Sequence, residues 1–266
     1  MNRRRGLSWG VVLFLAGMTA ACRSQPLAAP AQPLVEAGIK GNWSYEGRTG
    51  PANWARLLPY YVCADGREQS PIDVRGAQSG TDLPALDVRG YRETGVAVLN
   101  NGHTVEVEVD EGSVLDVGGE HFELTQFHFH APSEHQIDGR AAAMEMHLVH
   151  RSESGQLLVI GLLLREGATN AFLDLFWRFI PPEPGETPTD VHLNPRDALP
   201  ADRSYHRYDG SLTTPPCSEP VAWYVLRDAV TVSPAQVAKF LEIIGQNARP
   251  PQPLNGRVVQ TGPSPD

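Results

Sequence analysis

Residues 126–130 read Gln-Phe-His-Phe-His, and residues 144–150 read Met-Glu-Met-His-Leu-Val-His. Histidines two positions apart cannot share a helix face, but they share one face of a strand, where side chains alternate with period two. Gln126, His128 and His130 then point one way, and Phe127 and Phe129 the other. Glu145, His147 and Val149 repeat the alternation, so two neighbouring strands would bring three imidazoles to one point. Three nitrogen ligands without a fourth candidate describe a catalytic zinc site with an open position, since a structural zinc has four protein ligands. Neutral imidazoles leave the ion its full double charge, which thiolates would reduce, and that charge is what ionises bound water near neutral pH. Gln126 and Glu145 each precede a histidine by two residues. Metal-bound imidazoles give their second N–H to such acceptors. A single histidine on a half-apolar strand is usually an ordinary hydrogen-bonded residue; the pair and the third member with its carboxylate argue for a ligand set.

The elements that must position these residues are mainly strands. Alternating or β-branched runs at 96–99, 103–109, 113–117, 122–130, 142–150 and 157–164 are broken by Asn-Gly, Glu-Gly, Gly-Gly and Ser-Gly turns. Such turns suit hairpins, so the expected fold is mainly β with peripheral helices (α+β): one domain on a mostly antiparallel sheet. Helices are expected over 170–179 and over 234–245, the latter with Ser233 as N-cap. The Pro-rich segment 181–188 reads as a loop.

Composition narrows the partners. The formal net charge is -9, and removing residues 1–21 takes away only Arg3, Arg4 and Arg5, leaving 19 basic against 31 acidic residues. That balance, without a basic stripe, argues against nucleic acid as a partner. Arg3–Arg5 and the apolar run to Ala21 read as a bacterial export signal, too short for a membrane span. The run ends Thr19-Ala20-Ala21-Cys22, which resembles a lipoprotein signal whose cysteine is acylated; ordinary cleavage after Ala21 is the alternative. If Cys22 takes lipid, Cys63 and Cys217 remain as a disulfide in an oxidising compartment, with two unpaired thiols as the other outcome. Residues 22–40, rich in Ala, Pro and Gln, read as a flexible tether, and 41–262 as the domain. The expected location is the bacterial cell envelope, in the periplasm, with the membrane reached only through a lipid anchor.

With His128, His130 and His147 in place, nearly all of 43–259 resembles the α-class carbonic anhydrases, particularly their exported bacterial members. The resemblance rests on Arg-Glu-Gln-Ser-Pro-Ile-Asp at 67–73, Asn-Asn-Gly-His at 100–103 and Gln-Phe-His-Phe-His at 126–130. It continues in Ser-Glu-His at 133–135, Glu-Met-His-Leu-Val-His at 145–150, Gly-Ser-Leu-Thr-Thr-Pro-Pro-Cys at 210–217 and Asn-Ala-Arg-Pro at 247–250. It implies a single domain on a large, twisted, mostly antiparallel sheet, a Zn²⁺ cofactor at the bottom of a conical cleft, and reversible hydration of CO₂ to bicarbonate and a proton by attack of zinc-bound hydroxide. Carbonic anhydrase is itself the reference case for a three-histidine catalytic zinc and its water chemistry.

The resemblance also assigns roles. It implies that Thr213 accepts a hydrogen bond from the nucleophile and donates one to a buried Glu134, and that the Thr213 backbone N–H holds a substrate or inhibitor oxygen. Val149, Val159, Leu212, Val221 and Trp223 would form the apolar CO₂ wall, with Thr214 beside it, although each apolar member would serve equally as ordinary core. The Asn247 carbonyl joins Gln126 and Glu145 as a partner of the zinc histidines, while Tyr45, His135 and Tyr208 are supporting polar positions. His103 aligns with the proton-shuttle position; its ordinary reading is a turn histidine. Sulfonamides and small anions are the expected inhibitors, and a homodimer is a candidate assembly. A zinc-binding relative without hydration activity, and an esterase using the same site, are the competing functions.

Overall fold

The computed structural model describes residues 43–57 and 59–263. The export signal, the tether and Cys22 lie outside the described residues. Among those described, the alternating runs form β1 (Leu86–Gly90), β2 (Thr94–Asn100), β3 (Val105–Val109), β4 (Val114–Val117), β5 (Glu120–His130), β6 (Met144–Ser152), β7 (Leu157–Glu166), β8 (Gly185–Leu193), β9 (Tyr205–Gly210) and β10 (Val221–Leu226). They belong to one 13-stranded sheet whose main path runs β8-β2-β3-β5-β6-β7-β10-β9. Most pairings are antiparallel; β7 is parallel to β10 and to the short strand Val230–Val232, so the sheet is mixed.

The two faces of the central strands bury different chemistry. One face sends Phe127, Phe129, Met144, Met146 and Leu148 into the main apolar cluster. This face is closed by the helix Pro234–Ile243, whose Val237 and Phe240 join it. Ser233 caps that helix: its Oγ accepts from Gln236 N, and the Gln236 side chain returns to Ser233 N, a capping box. The opposite face carries a smaller apolar cluster that includes Val149, Val159, Val221 and Trp223, with Leu212 packed against it. The site lies on this second face.

Two segments depart from the sequence-based expectation. The 170–179 helix is an α-turn at Ala171–Asp174 followed by a 3-10 turn at Trp177–Phe179. Phe172, Leu173, Phe176 and Trp177 are all buried, and the Trp177 indole N–H donates to the Gln236 carbonyl from the second turn. The 181–188 loop is a loop only in its first half: from Gly185 the chain forms β8, pairing Gly185 with Asn100 and Pro188 with Ala97. As the end strand of the sheet path β8 needs donors on one side only, which is where proline is tolerated. The Cys63–Cys217 disulfide is formed, with Cα atoms 5.1 Å apart. It sits in a third cluster with Trp43, Trp54 and Tyr60.

Candidate metal centre

Register brings the three histidines together. In the β5–β6 ladder His147 stands opposite His128, and Glu145 opposite His130. Each ring then commits one nitrogen to a fixed acceptor. His128 Nδ1 donates to Gln126 Oε1 at 2.8 Å, His130 Nδ1 to the Asn247 carbonyl at 2.8 Å, and His147 Nε2 to Glu145 Oε1 at 2.9 Å. Those bonds set the tautomers, so the free lone pairs lie on His128 Nε2, His130 Nε2 and His147 Nδ1. The three histidines offer ligand atoms within 4.8 Å of one another. His130 Nε2 is buried without any hydrogen-bond partner, an orphan that a cation would satisfy. Burial pushes the His128 ring well below its ordinary value and His130 down to about 4, which keeps both neutral, as metal ligands must be. The donor set fits zinc: three neutral imidazoles oriented from behind, with the Glu134 carboxylate 4.0 Å from His147 Nδ1.

A second group of His135, Glu145 and His147 also lies close together, but it is a hydrogen-bond relay. Glu145 Oε1 accepts from both His135 Nδ1 and His147 Nε2, and Oε2 accepts from the Glu134 and His135 backbone N–H groups. Burial raises the Glu145 carboxyl, yet His135 and His147 outweigh it and hold it well below the usual carboxylate range. His135 Nε2 pairs with Tyr208 Oη at 2.6 Å, whose hydroxyl meets Ser70 Oγ at 2.8 Å.

Glu134 is fully enclosed. Its Oε1 accepts from Arg249 N at 2.9 Å, and its Oε2 has no partner. Burial pushes it up to about 7, against His147, the Arg249 N–H and the Thr213 hydroxyl, which all pull it down. The Thr213 hydroxyl is close enough to the carboxylate to act on it. Its loop is tied by Cys217 N to Thr214 O, Leu212 N to Ser218 O and the disulfide. Trp223 packs its ring 4.8 Å from that of His147, at the head of the Val149, Val159, Val221 wall.

His103 lies in the turn between β2 and β3, its ring stacked on Trp43 at 3.8 Å and 10°. Asn247 Nδ2 donates to the His103 carbonyl at 3.0 Å, which fastens this turn to the centre.

Arg249 and Glu106 at the centre were not assigned a role from the sequence, and Asn247 was assigned one only through its carbonyl. The Asn247 side chain, beyond its carbonyl, also donates to Phe129 O and accepts from Ala131 N, clamping the end of β5. Arg249 is buried, with its guanidinium on Ser70 O, Cys63 O and Gln69 Oε1. Glu106 stands opposite His128 on β3, pushed up to about 7 by burial and by Glu108. The signal for Glu106 was present in the Val-Glu-Val-Glu-Val alternation of 105–109, which puts two carboxylates on one face.

Comparison with known proteins agrees with this geometry. Residues 49–263 match the family model for eukaryotic-type carbonic anhydrase. A carbonic anhydrase of Nostoc sp. is 45% identical over 227 residues, covering 82% of this chain and 85% of the relative. The α-carbonic anhydrase of Thermovibrio ammonificans, solved with the inhibitor sulfanilamide, is 40% identical with a TM-score of 0.75, covering 82% of this chain and 98% of that one. Dioscorin complexed with ascorbate is 33% identical with a TM-score of 0.79, over 84% of this chain and 99% of that one. With the family model spanning nearly all of the described domain, and with relatives above 40% identity, the chain belongs to the α, or eukaryotic-type, carbonic anhydrase family.

Proposed function

We propose that the chain catalyses the reversible hydration of carbon dioxide to bicarbonate and a proton, with a zinc ion held by His128, His130 and His147. The observation that carries this reading is the convergence of three imidazoles whose other nitrogens are already committed to Gln126, Asn247 and Glu145. When bound, zinc supplies the Lewis acidity that makes water a nucleophile at neutral pH.

The remaining work falls to the chain's own groups. Glu134, when ionised, accepts a hydrogen bond from the Thr213 hydroxyl on its unpartnered Oε2, leaving a Thr213 Oγ1 lone pair to accept a hydrogen bond from the nucleophile and fix its orientation. Val149, Val159, Leu212, Val221 and Trp223 present an apolar wall, suited to a substrate that is small and apolar. The Thr213 N–H and Thr214 hold an oxygen of the substrate or of an anionic inhibitor, and sulfonamides are proposed to bind there.

His103 passes the proton to solvent. Direct transfer from a group of pKa about 7 to water is uphill by roughly 9 pKa units, about 12 kcal/mol, so fast turnover needs an intermediate acceptor. Burial lowers the His103 pKa below its ordinary value, which keeps the ring neutral at pH 7 and ready to accept. Arg3–Arg5, the apolar run to Ala21 and Cys22 support export to the bacterial periplasm with a lipid anchor. The Cys63–Cys217 disulfide suits that oxidising compartment.

The test is stopped-flow CO₂ hydration by the purified protein before zinc removal, after it, and after re-addition. Hydration that disappears with zinc and returns with it is the expected result. Stoichiometric zinc without hydration would overturn the enzymatic reading and leave a binding role.

A further inference from the structure

Strand β5 sends Phe122 and Leu124 into the main apolar cluster, and then Phe127 and Phe129. The step of three in the middle breaks strict alternation, under which Phe122 and Leu124 would share a face with Gln126, His128 and His130. The ladder with β6 gives the cause. Val149 stands opposite Gln126, but the next residue, His150, stands opposite Leu124. Thr125 is thus the extra residue of a β-bulge. The bulge falls where β5 exchanges its other neighbour, β4 beside residues 120–123 and β3 beside residues 126–128. On β6 parity is kept, with Met144, Met146 and Leu148 in the core and Glu145, His147 and Val149 opposite. Only β5 changes phase.

Thr125 closes the interruption with its side chain: Oγ1 donates to the Val149 carbonyl at 3.0 Å, across the strand pair. Its chain neighbour Gln126 orients His128. A one-residue slip in a strand exchanges its two faces. Without the bulge, burying Phe122 and Leu124 would carry His128 and His130 into the same apolar cluster.

We propose that Thr125 is a positioning residue for the metal centre: its hydroxyl locks the bulge to Val149 and fixes the phase that puts Gln126, His128 and His130 on the face of His147. The inference rests on the zinc reading above. Thr125→Val keeps the side-chain shape and loses the donor, Thr125→Ala loses the donor with less bulk in case the valine variant fails to fold, and Thr125→Ser keeps the donor.

The experiment measures Zn²⁺ affinity by competition with a chelator, the visible spectrum of the Co²⁺-substituted protein, and the denaturation midpoint of each variant. Thr125→Val and Thr125→Ala are expected to weaken zinc about tenfold or more, the scale seen for groups that orient metal ligands, and to alter the Co²⁺ spectrum. Thr125→Ser is expected to stay within about twofold of the parent, since its donor survives. Leu115→Ala, a fully buried core change on β4, is expected to lower the midpoint without moving zinc affinity. Parent-like zinc affinity and Co²⁺ spectrum in the donor-less variants would overturn the positioning role, whatever their stability. A parent that binds no zinc would instead overturn the reading of the site itself, and this inference with it.

Discussion

Two buried imidazoles in neighbouring strands each leave one ring nitrogen without a partner: His130 Nε2 on β5 and His150 Nδ1 on β6. Burial depresses both, His130 to about 4 and His150 to about 3, so titration does not tell them apart. Their surroundings do. The orphan nitrogen of His130 lies among ligand atoms of His128 and His147, and its other nitrogen is held by the Asn247 carbonyl. His150 meets Tyr91 Oη at 2.6 Å, itself part of the main apolar cluster, and the other polar groups that act on its ring are the Leu158 and Leu148 backbone. An unsatisfied buried nitrogen points to a ligand where others converge on the same space, and to a tolerated packing cost where none does.

The largest effect expected from this contrast is that of His130→Ala. It should abolish tight zinc binding and lower CO₂ hydration by about a thousandfold or more, since the metal contributes several kcal/mol and each 1.36 kcal/mol is tenfold in rate. The check is metal content by mass spectrometry alongside stopped-flow hydration. Glu145→Gln comes next. It keeps the shape behind His147 but removes the charge that anchors both His147 and His135. Zinc affinity should fall about 10- to 100-fold, measured by chelator competition; an unchanged affinity would show that the relay serves the fold alone.

A smaller change is expected from His103→Ala, which leaves the ligands untouched. Hydration in weak buffer should drop by about tenfold and recover on adding imidazole, as for loss of a proton acceptor. No drop would remove His103 from the proton path. The least effect on catalysis belongs to His150→Phe, which should leave zinc affinity and hydration within about twofold while costing about 1–3 kcal/mol through the unpaired Tyr91 hydroxyl. The variant should also alter acid stability. A folded pKa of about 3 against an ordinary 6.5 means that the unfolded state binds the proton first as pH falls. The stability held by the neutral ring is full above about 6.5 and is lost as pH drops toward 3, so the phenylalanine variant should show a flatter decline across that window. A slope identical to the parent's would mean that His150 titrates normally.

The same contrast shows what the sequence can convey. The histidine triad was legible because its geometry is local: period-two spacing on two strands fixes the face, and the strands are near neighbours in the chain. The Cys63–Cys217 pairing followed from counting cysteines, on the reading that the chain is exported and that Cys22 takes lipid. Edge strand β8 was not legible, because nearly all of its residues are exposed or half-exposed and no apolar alternation marks it. The broken helix after Asn170 follows from packing onto the sheet and onto Gln236, whose carbonyl accepts from Trp177 Nε1. The clamp made by the Asn247 side chain and the contacts of Arg249 depend on partners more than a hundred residues away, which no local pattern encodes. The bulge at Thr125 falls between these cases. The apolar steps 122, 124, 127, 129 recorded it, but only the ladder shows which strand holds the extra residue.

The most direct test of the centre is anomalous diffraction at the zinc edge from crystals of the zinc-loaded protein. The account predicts one strong peak at about 2.0–2.1 Å from His128 Nε2, His130 Nε2 and His147 Nδ1, with none near His150. A peak bound through the opposite ring nitrogens, a peak elsewhere, or no peak at these three residues would contradict it.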